Sequence, residues 1–181
     1  MHDFLEGVVP FTIKIFLYVL AFRYQELGID ATLLNDRIDL FCYSYNDLSN
    51  KPSAKFTDEG IRKKVNYSTK QRASQNWCLI RMLPFLIGDL IPVGHEAYGL
   101  IITLRWILDI VFAPVIALEH TVELEILNIL YFEKFRSFFP GVQAINKVHH
   151  MLHFPHCIRE NGLQSGIRVC DIKPFTIQLR D

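Results

Sequence analysis

The stretch "KVHHMLHFPHC" holds the densest group of chemically active side chains in the sequence. Within nine residues it places His149, His150, His153, His156 and Cys157. On a helix, His149 and His153 share a face, as do His153 and Cys157, so two imidazoles and a thiolate could meet a zinc ion. Pro155 disturbs that geometry, and no paired Cys or His spacing elsewhere supplies a fourth ligand. We therefore predict hydrogen-bonded packing histidines and no metal site.

Two carboxylates, Asp3 and Glu6, lie one turn apart near the beginning of the sequence. Such a pair could share a divalent cation or divide acid and base roles. Carboxylates in a first helical turn also simply favour the helix dipole, and we prefer that interpretation. The sequence has no Gly-rich phosphate loop, nucleophile elbow or paired-glycine fingerprint. We predict no catalytic residue, no cofactor and no small-molecule substrate.

Basic residues are concentrated in residues 51–72. This stretch contains seven Lys and Arg residues but only two acidic residues, Asp58 and Glu59, so it has a local excess of five positive charges. Such an excess suits phosphate groups, whereas the net charge of 0 for the whole chain argues against a uniformly basic nucleic-acid binder. An ordinary solvated linker is the alternative. The candidate nucleic-acid contacts are Lys55, Arg62, Lys63, Lys64, Lys70 and Arg72.

The composition predicts one folded intracellular domain. With 181 residues, 50% of them hydrophobic, the chain is long enough and apolar enough for a core. The four cysteines form no Cys-x-x-Cys pair, which favours reduced thiols. The opening does not fit a signal peptide, because Asp3 and Glu6 precede the apolar run. Charged residues interrupt the apolar stretches 8–22 and 79–118, so we favour a buried helical core over a small membrane protein.

Helical periodicity extends over most of the chain. The first helix is predicted within 4–25, with Pro10 near its beginning, and Asp30 is predicted to cap a second helix. Residues 49–69 are predicted as a loop or as an element that orders against a partner. Three further helices follow: one from Ser74, kinked at Pro84, one ending at about Ala113 and one beginning at about Glu119. The last apolar helix is "KVHHMLHFPHCIREN". The prediction is a mainly α bundle of five or six helices over 1–162 and an irregular tail over 163–181.

Three stretches together resemble a known family. "MHDFLEG" followed by an apolar helix, then "NWCLIRMLPFLIG", then "HHMLHFP", in this order and at these distances, resemble the transposases of CACTA-like and related cut-and-paste DNA elements. The likeness covers residues 1 to about 162. It implies a ribonuclease H-like enzyme in which two aspartates and a glutamate hold divalent metal, and in which a helical insertion separates the second aspartate from the glutamate. This chain corresponds to that insertion.

The chain departs from the family at the catalytic positions. Met1 and His2 match a family pair that directly follows the second catalytic aspartate, and Asp3 matches a neighbouring aspartate that is not a metal ligand. The family's glutamate motif, C-M-R-F/Y-E-x-K-H, should follow "HFPHCIRENG", but the sequence reads "LQSGIRVCDIKPFTIQLRD". A shifted reading frame from Arg168 could encode Cys-Met-Arg-Tyr-x-Ala-x-His. Glu is excluded at the catalytic position, because the third base of the Ile172 codon is never G.

The resemblance therefore implies a truncated, transposable-element-derived protein that is not an enzyme. The alternatives are a helical interaction or DNA-backbone-binding module and a small membrane-associated protein. Expected partners are DNA, bound weakly, and a second copy of the chain, because the insertion would expose apolar faces without its supporting sheet. A nuclear location is expected if the family role persists.

Overall fold

The structure is a computed structural model that describes residues 3–63, 68–140, 142, 145–161 and 178–180. Five helices of the described part have ten or more residues, and α8 and α9 form a further helical unit joined by the 3₁₀ turn Met151–His153. The predicted mainly α bundle of five or six helices is confirmed. The helices are α1 Val9–Phe22, α2 Ala31–Leu40, α3 Tyr45–Leu48, α4 Asp58–Arg62, α5 Ala73–Ile87, α6 Glu96–Val111, α7 Leu118–Phe138, α8 Asn146–His150 and α9 Phe154–Asn161.

Helix α1 lies in the core. The segment Phe4–Phe22, 19 residues with mean hydropathy 1.8, is the one helical stretch of the described residues that is long and apolar enough to cross a membrane, although 78% of it is buried inside the protein. Burial on nearly all sides agrees with the predicted core helix. The other candidate stretch, 79–118, is divided between α5 and α6.

A buried polar pair joins α1 to α7. The hydroxyl oxygens of Thr12 and Tyr131 lie 2.6 Å apart, and the Thr12 hydroxyl donates to the Val8 carbonyl at 2.8 Å. Tyr131 therefore donates to Thr12, so neither hydroxyl is unpaired. Next to this pair, the ring of Phe11, which precedes Thr12, packs against the ring of Phe135, one turn after Tyr131, with centres 5.6 Å apart. These contacts fix the register of α1 against α7.

The chain enters α1 through a π-helical turn, Phe4–Val8, and Pro10, which follows this turn, has no N–H to donate to it. In this turn the Val9 N–H donates to the Phe4 carbonyl. Continued in the same register, the Leu5 carbonyl would need an N–H from residue 10, and proline has none. That carbonyl instead accepts a hydrogen bond from the Asn76 side chain at 2.9 Å. A side chain of α5 thus completes the first turn of the protein.

Most predicted helix boundaries lie close to the observed ones. Asp30 caps α2 as predicted, because its Oδ1 accepts the Leu33 N–H at 2.8 Å. Helix α6 ends at Val111, two residues before the predicted Ala113, and α7 begins at Leu118, one residue before the predicted Glu119. Pro84 lies inside α5, which continues to Ile87.

The prediction that residues 49–69 form a loop is wrong for α4. Thr57 caps this short helix, since its Oγ1 accepts the Gly60 N–H at 3.0 Å, and Ile61 is buried. A helix of five residues with one buried apolar side chain produces no apolar period, which is why the sequence pattern missed it.

Two short strands form a parallel pair that the sequence pattern did not predict. Strand β1, Val115–Ala117, pairs with β2, Gln178–Arg180, with Val115 opposite Gln178. The pairing places residues 178–180 beside the beginning of α7. Apart from β2, the predicted irregular tail over 163–181 falls outside the described residues.

Candidate functional site

The three sequence stretches that resemble the transposase family meet at the first turn of the protein. His150 Nδ1 lies 3.3 Å from the Asp3 carboxylate, and the Phe4 and Phe154 rings pack edge to face with centres 4.9 Å apart. Asn76 donates to the Leu5 carbonyl from the first residue of "NWCLIRMLPFLIG". We call this set the motif junction, formed by Asp3, Phe4, Leu5, Asn76, His150 and Phe154. Residues more than 70 positions apart in the sequence contact each other there.

The Asn76 side chain is buried, so its hydrogen bond to the Leu5 carbonyl is shielded from water. Only 2% of its surface is exposed, and its Oδ1 accepts a hydrogen bond from the Thr69 hydroxyl at 2.7 Å. Both halves of the amide are therefore used, which also fixes its orientation. The helical period of the sequence predicts only that position 76 is buried. It does not predict the hydrogen bonds that the Asn76 side chain makes.

The four histidines for which hydrogen-bonded packing is predicted lie on the surface of the protein. His149, His150, His153 and His156 are all exposed. Their helical unit is held by Val148, Met151 and Ile158, which are buried, so the histidines lie on its outer face. Within the described part of the chain, the hydrogen bonds of these four rings are the His150–Asp3 contact and a 3.4 Å contact between His149 and His153.

Three of the six candidate phosphate contacts in residues 51–72 already have partners. Lys55 pairs with the Asp39 carboxylate, and Lys63 lies 2.5 Å from Glu59. Hydrogen bonding to these two lysines lowers the pKa of both carboxyl groups. The Arg62 guanidinium lies over the Phe22 ring, 5.0 Å from its centre. Lys64 falls outside the described residues.

Lys70 and Arg72 are the candidates that remain available to a ligand. Both are exposed, and neither makes an ion pair within the described part of the chain. Lys70 has a left-handed backbone conformation, with φ of 60°. Burial lowers the pKa of Lys14, and the positive charge of Lys70 lowers it further. Positive potential thus extends from Lys70 toward α1.

An open cleft of about 710 Å³ lies beside the motif junction. Its walls come from the π-helical turn and the beginning of α1, from residues 68–76 and from the beginning of α8. Arg72 and Lys147 line it together with Glu6 and with the polar side chains of Ser68, Gln71, Asn76 and Asn146. The volume lies within the range of about 300–1,000 Å³ that is typical of ligand sites.

Lys147 is a cleft residue that the sequence pattern missed. Its side chain passes over Gly7, where an added Cβ would overlap the Lys147 Cδ atom. The absence of a side chain at residue 7 thus lets α8 approach the π-helical turn. A single Lys before "VHH" carries no signal of its own, because only the fold brings it to residues 68–76.

Asp3, the one carboxylate of the motif junction, belongs to no group of three or more potential metal ligands among the described residues. Asp3 contacts His150, and among the described residues no three His, Cys, Asp or Glu side chains gather closely enough to hold one ion. The divalent metal that the resemblance implies therefore finds no fitting donor set in this part of the chain.

A second exposed surface follows the outer side of α7. Its large apolar side chains are between 40% and 54% exposed, and they are Leu118, Val122, Ile126, Ile129 and Leu130. Successive spacings of four, four and three residues place the first four on one helix face. We call these five residues the α7 outer face. Contiguous apolar surface of this kind marks contact surfaces more often than free ones.

Comparison of the chain with protein-family models, with curated proteins and with solved structures finds no match in any of the three. The resemblance to CACTA-like transposases rests on the three sequence stretches alone.

Proposed function

We propose that the chain is the helical domain of a transposable-element-derived protein related to CACTA-like transposases, and that it does not cleave DNA by itself. The motif junction is the observation that supports this origin most. The three stretches on which the resemblance rests meet through the Asp3–His150, Phe4–Phe154 and Leu5–Asn76 contacts. Motifs that contact each other in the fold can persist together for a structural reason, whereas chance similarities have no reason to meet.

The nucleotide sequence on both sides of the coding region tests this origin. We expect an aspartate codon directly before the Met1 codon, and a shifted frame after Arg168 that reads Cys-Met-Arg-Tyr. Frames that encode neither feature would overturn the proposed origin. This test needs no folded protein and does not depend on activity.

A nicking assay tests the lack of cleavage. Supercoiled plasmid incubated with the purified chain and Mg²⁺ or Mn²⁺ is expected to stay supercoiled, at the level of a control with EDTA. The physical reason is that strand cleavage of this type needs carboxylates that hold two ions, and the family's glutamate motif has no counterpart in the sequence after "HFPHCIRENG". Metal-dependent nicking by the pure protein would contradict the proposal.

The cleft favours a second function, which is contact with a nucleic-acid backbone. Arg72 and Lys147 both line the cleft, and Lys70 precedes two lining residues, Gln71 and Arg72, in the sequence. Guanidinium and ammonium groups at the edge of an open cleft are suited to successive phosphates, whereas Glu6 at its wall restricts the contact to the rim. Binding of this kind is weak, with dissociation constants of about 10⁻⁴–10⁻⁶ M at physiological salt.

Two double variants distinguish DNA binding at the cleft from DNA binding by the other cations of residues 51–72. Arg72→Gln with Lys147→Gln is expected to lower the slope of log affinity against log salt by about 2, since each lost phosphate contact removes about 0.9. The matched control is Lys55→Gln with Lys63→Gln, whose cations already pair with Asp39 and Glu59. Fluorescence anisotropy with labelled duplex DNA gives both slopes. An equal loss in the two double variants would show general charge attraction and would refute a site at the cleft.

A further inference from the structure

The exposed pair His149 and His153 brings two ring nitrogen atoms close together on the outer face of the helical unit. Their Nε2 atoms lie 3.4 Å apart, the ring centres are separated by 5.1 Å, and the ring planes meet at 79°. N–H groups usually donate over about 2.7–3.2 Å, so a bond between the two rings is long and weak. The two Nε2 atoms are nevertheless close enough to contact one shared ion.

The spacing fits two ligands of one metal ion. Imidazole nitrogen binds Zn²⁺ at about 2.0–2.1 Å, so two such nitrogens on a tetrahedral ion lie about 3.4 Å apart. Each ring centre lies a little over 1 Å behind its nitrogen, which puts the two centres about 5 Å apart in such a pair. The observed separations of 3.4 and 5.1 Å agree with both values.

The backbone that carries this pair is anchored to the protein core. The carbonyl of Met151, which lies between the two histidines, accepts a hydrogen bond from the buried Asn128 side chain at 2.8 Å. Val148 and Met151 are themselves buried, each with no more than 1% of its surface exposed. The backbone on which both rings stand is therefore fixed against α7, and binding an ion would order little more than the rings.

We propose that His149 and His153 chelate one divalent transition-metal ion of the Zn²⁺ type through their Nε2 atoms. Imidazole pairs suit Zn²⁺, Ni²⁺ and Cu²⁺ better than Mg²⁺ or Ca²⁺, which prefer oxygen ligands. The remaining coordination positions face solvent and take water or a ligand from a binding partner. The site uses neither the contacts of the motif junction nor the cleft, although both histidines belong to the stretch "HHMLHFP" that resembles the transposase family.

Neighbouring histidines supply matched controls. His156 is exposed on the same helical unit, and His150 contacts Asp3 on another side. Because all four histidines are exposed, their replacement by Ala leaves the core intact, and thermal unfolding followed by circular dichroism verifies that each variant folds.

Calorimetric titration of the full chain with Zn²⁺, and separately with Ni²⁺, tests the site. One ion per chain is expected, with the affinity falling about tenfold or more in His149→Ala and in His153→Ala. His156→Ala and His150→Ala should stay within about twofold of the unmodified chain. Equal losses in all four variants would indicate scattered surface histidines and overturn the proposal. Unchanged binding in His149→Ala and His153→Ala would do the same.

Discussion

At the scale of the residue, the Tyr43 hydroxyl is buried and lacks a hydrogen-bond partner among the described residues. Burial is the main reason that the pKa of Tyr43 rises to about 12, with smaller contributions from Cys78 and Asp39. Burial also raises the pKa of the Cys78 thiol to about 11. Both groups thus keep their protons in the folded chain at pH values where the unfolded chain loses them.

The raised pKa of Tyr43 predicts a loss of stability in alkali. The unfolded tyrosine releases its proton near pH 10 and the folded one near pH 12, so the free energy of unfolding falls as the pH rises between these values. Below pH 10 the contribution is fully present. Tyr43→Phe is expected to make this fall shallower, and at neutral pH to change stability little, because an unpaired hydroxyl is removed.

Urea unfolding midpoints at pH 8 and pH 11 measure the effect of Tyr43→Phe. The control is Tyr45→Phe, since Tyr45 is 93% exposed in the folded chain. If the midpoints of the Tyr43 variant fall as far between the two pH values as those of the unmodified chain, the burial of this hydroxyl has no thermodynamic consequence.

At the scale of the element, local signals could be predicted from the sequence and long-range ones could not. The Asp30 cap is a bond between neighbours in the chain, so the sequence pattern was sufficient to find it. In the π-helical turn, Pro10 is a local feature that can be read from the sequence, because it has no N–H to donate. The hydrogen bond from Asn76 comes from a distant residue and cannot be read from the sequence. The exposure of the histidines likewise depends on α8 and α9 packing against α7 and the first turn through Val148, Met151 and Ile158.

Asn76→Ala is expected to destabilise the protein by about 1–3 kcal/mol, because it leaves the Leu5 carbonyl and the Thr69 hydroxyl without their buried partner. Urea unfolding at pH 7 provides the measurement. The exposed Asn46 supplies the control, and Asn46→Ala should stay within about 0.5 kcal/mol of the unmodified chain. Equal stabilities of the two variants would show that Asn76 is replaceable in the first turn.

At the scale of the whole molecule, the α7 outer face is a row of exposed apolar side chains that is available to a partner. The sequence indicated an amphipathic helix over this stretch, but helical period alone does not say how much of an apolar stripe a neighbouring element covers. We propose a second copy of the chain as its partner, because five large apolar side chains of one helix stay 40% to 54% exposed and would be covered in such a contact.

Ile126→Lys is expected to weaken self-association about tenfold or more, since it places a charge at the middle of the α7 outer face. Sedimentation velocity over a range of concentrations measures the change. Val93→Lys makes the same substitution at a fully exposed loop residue and should leave association unchanged. A monomeric unmodified chain at about 100 μM would contradict the expectation, since a specific interface binds more tightly than that.

The bond from Asn76 to the first turn also has a consequence for the order of assembly. Pro10 prevents the turn from satisfying its own Leu5 carbonyl, so the turn gains its last hydrogen bond only when α5 is already in place. The beginning of the chain is therefore completed by a helix that comes about 70 residues later. During synthesis this turn must wait for α5, and in the folded state the two elements open and close as one cooperative unit.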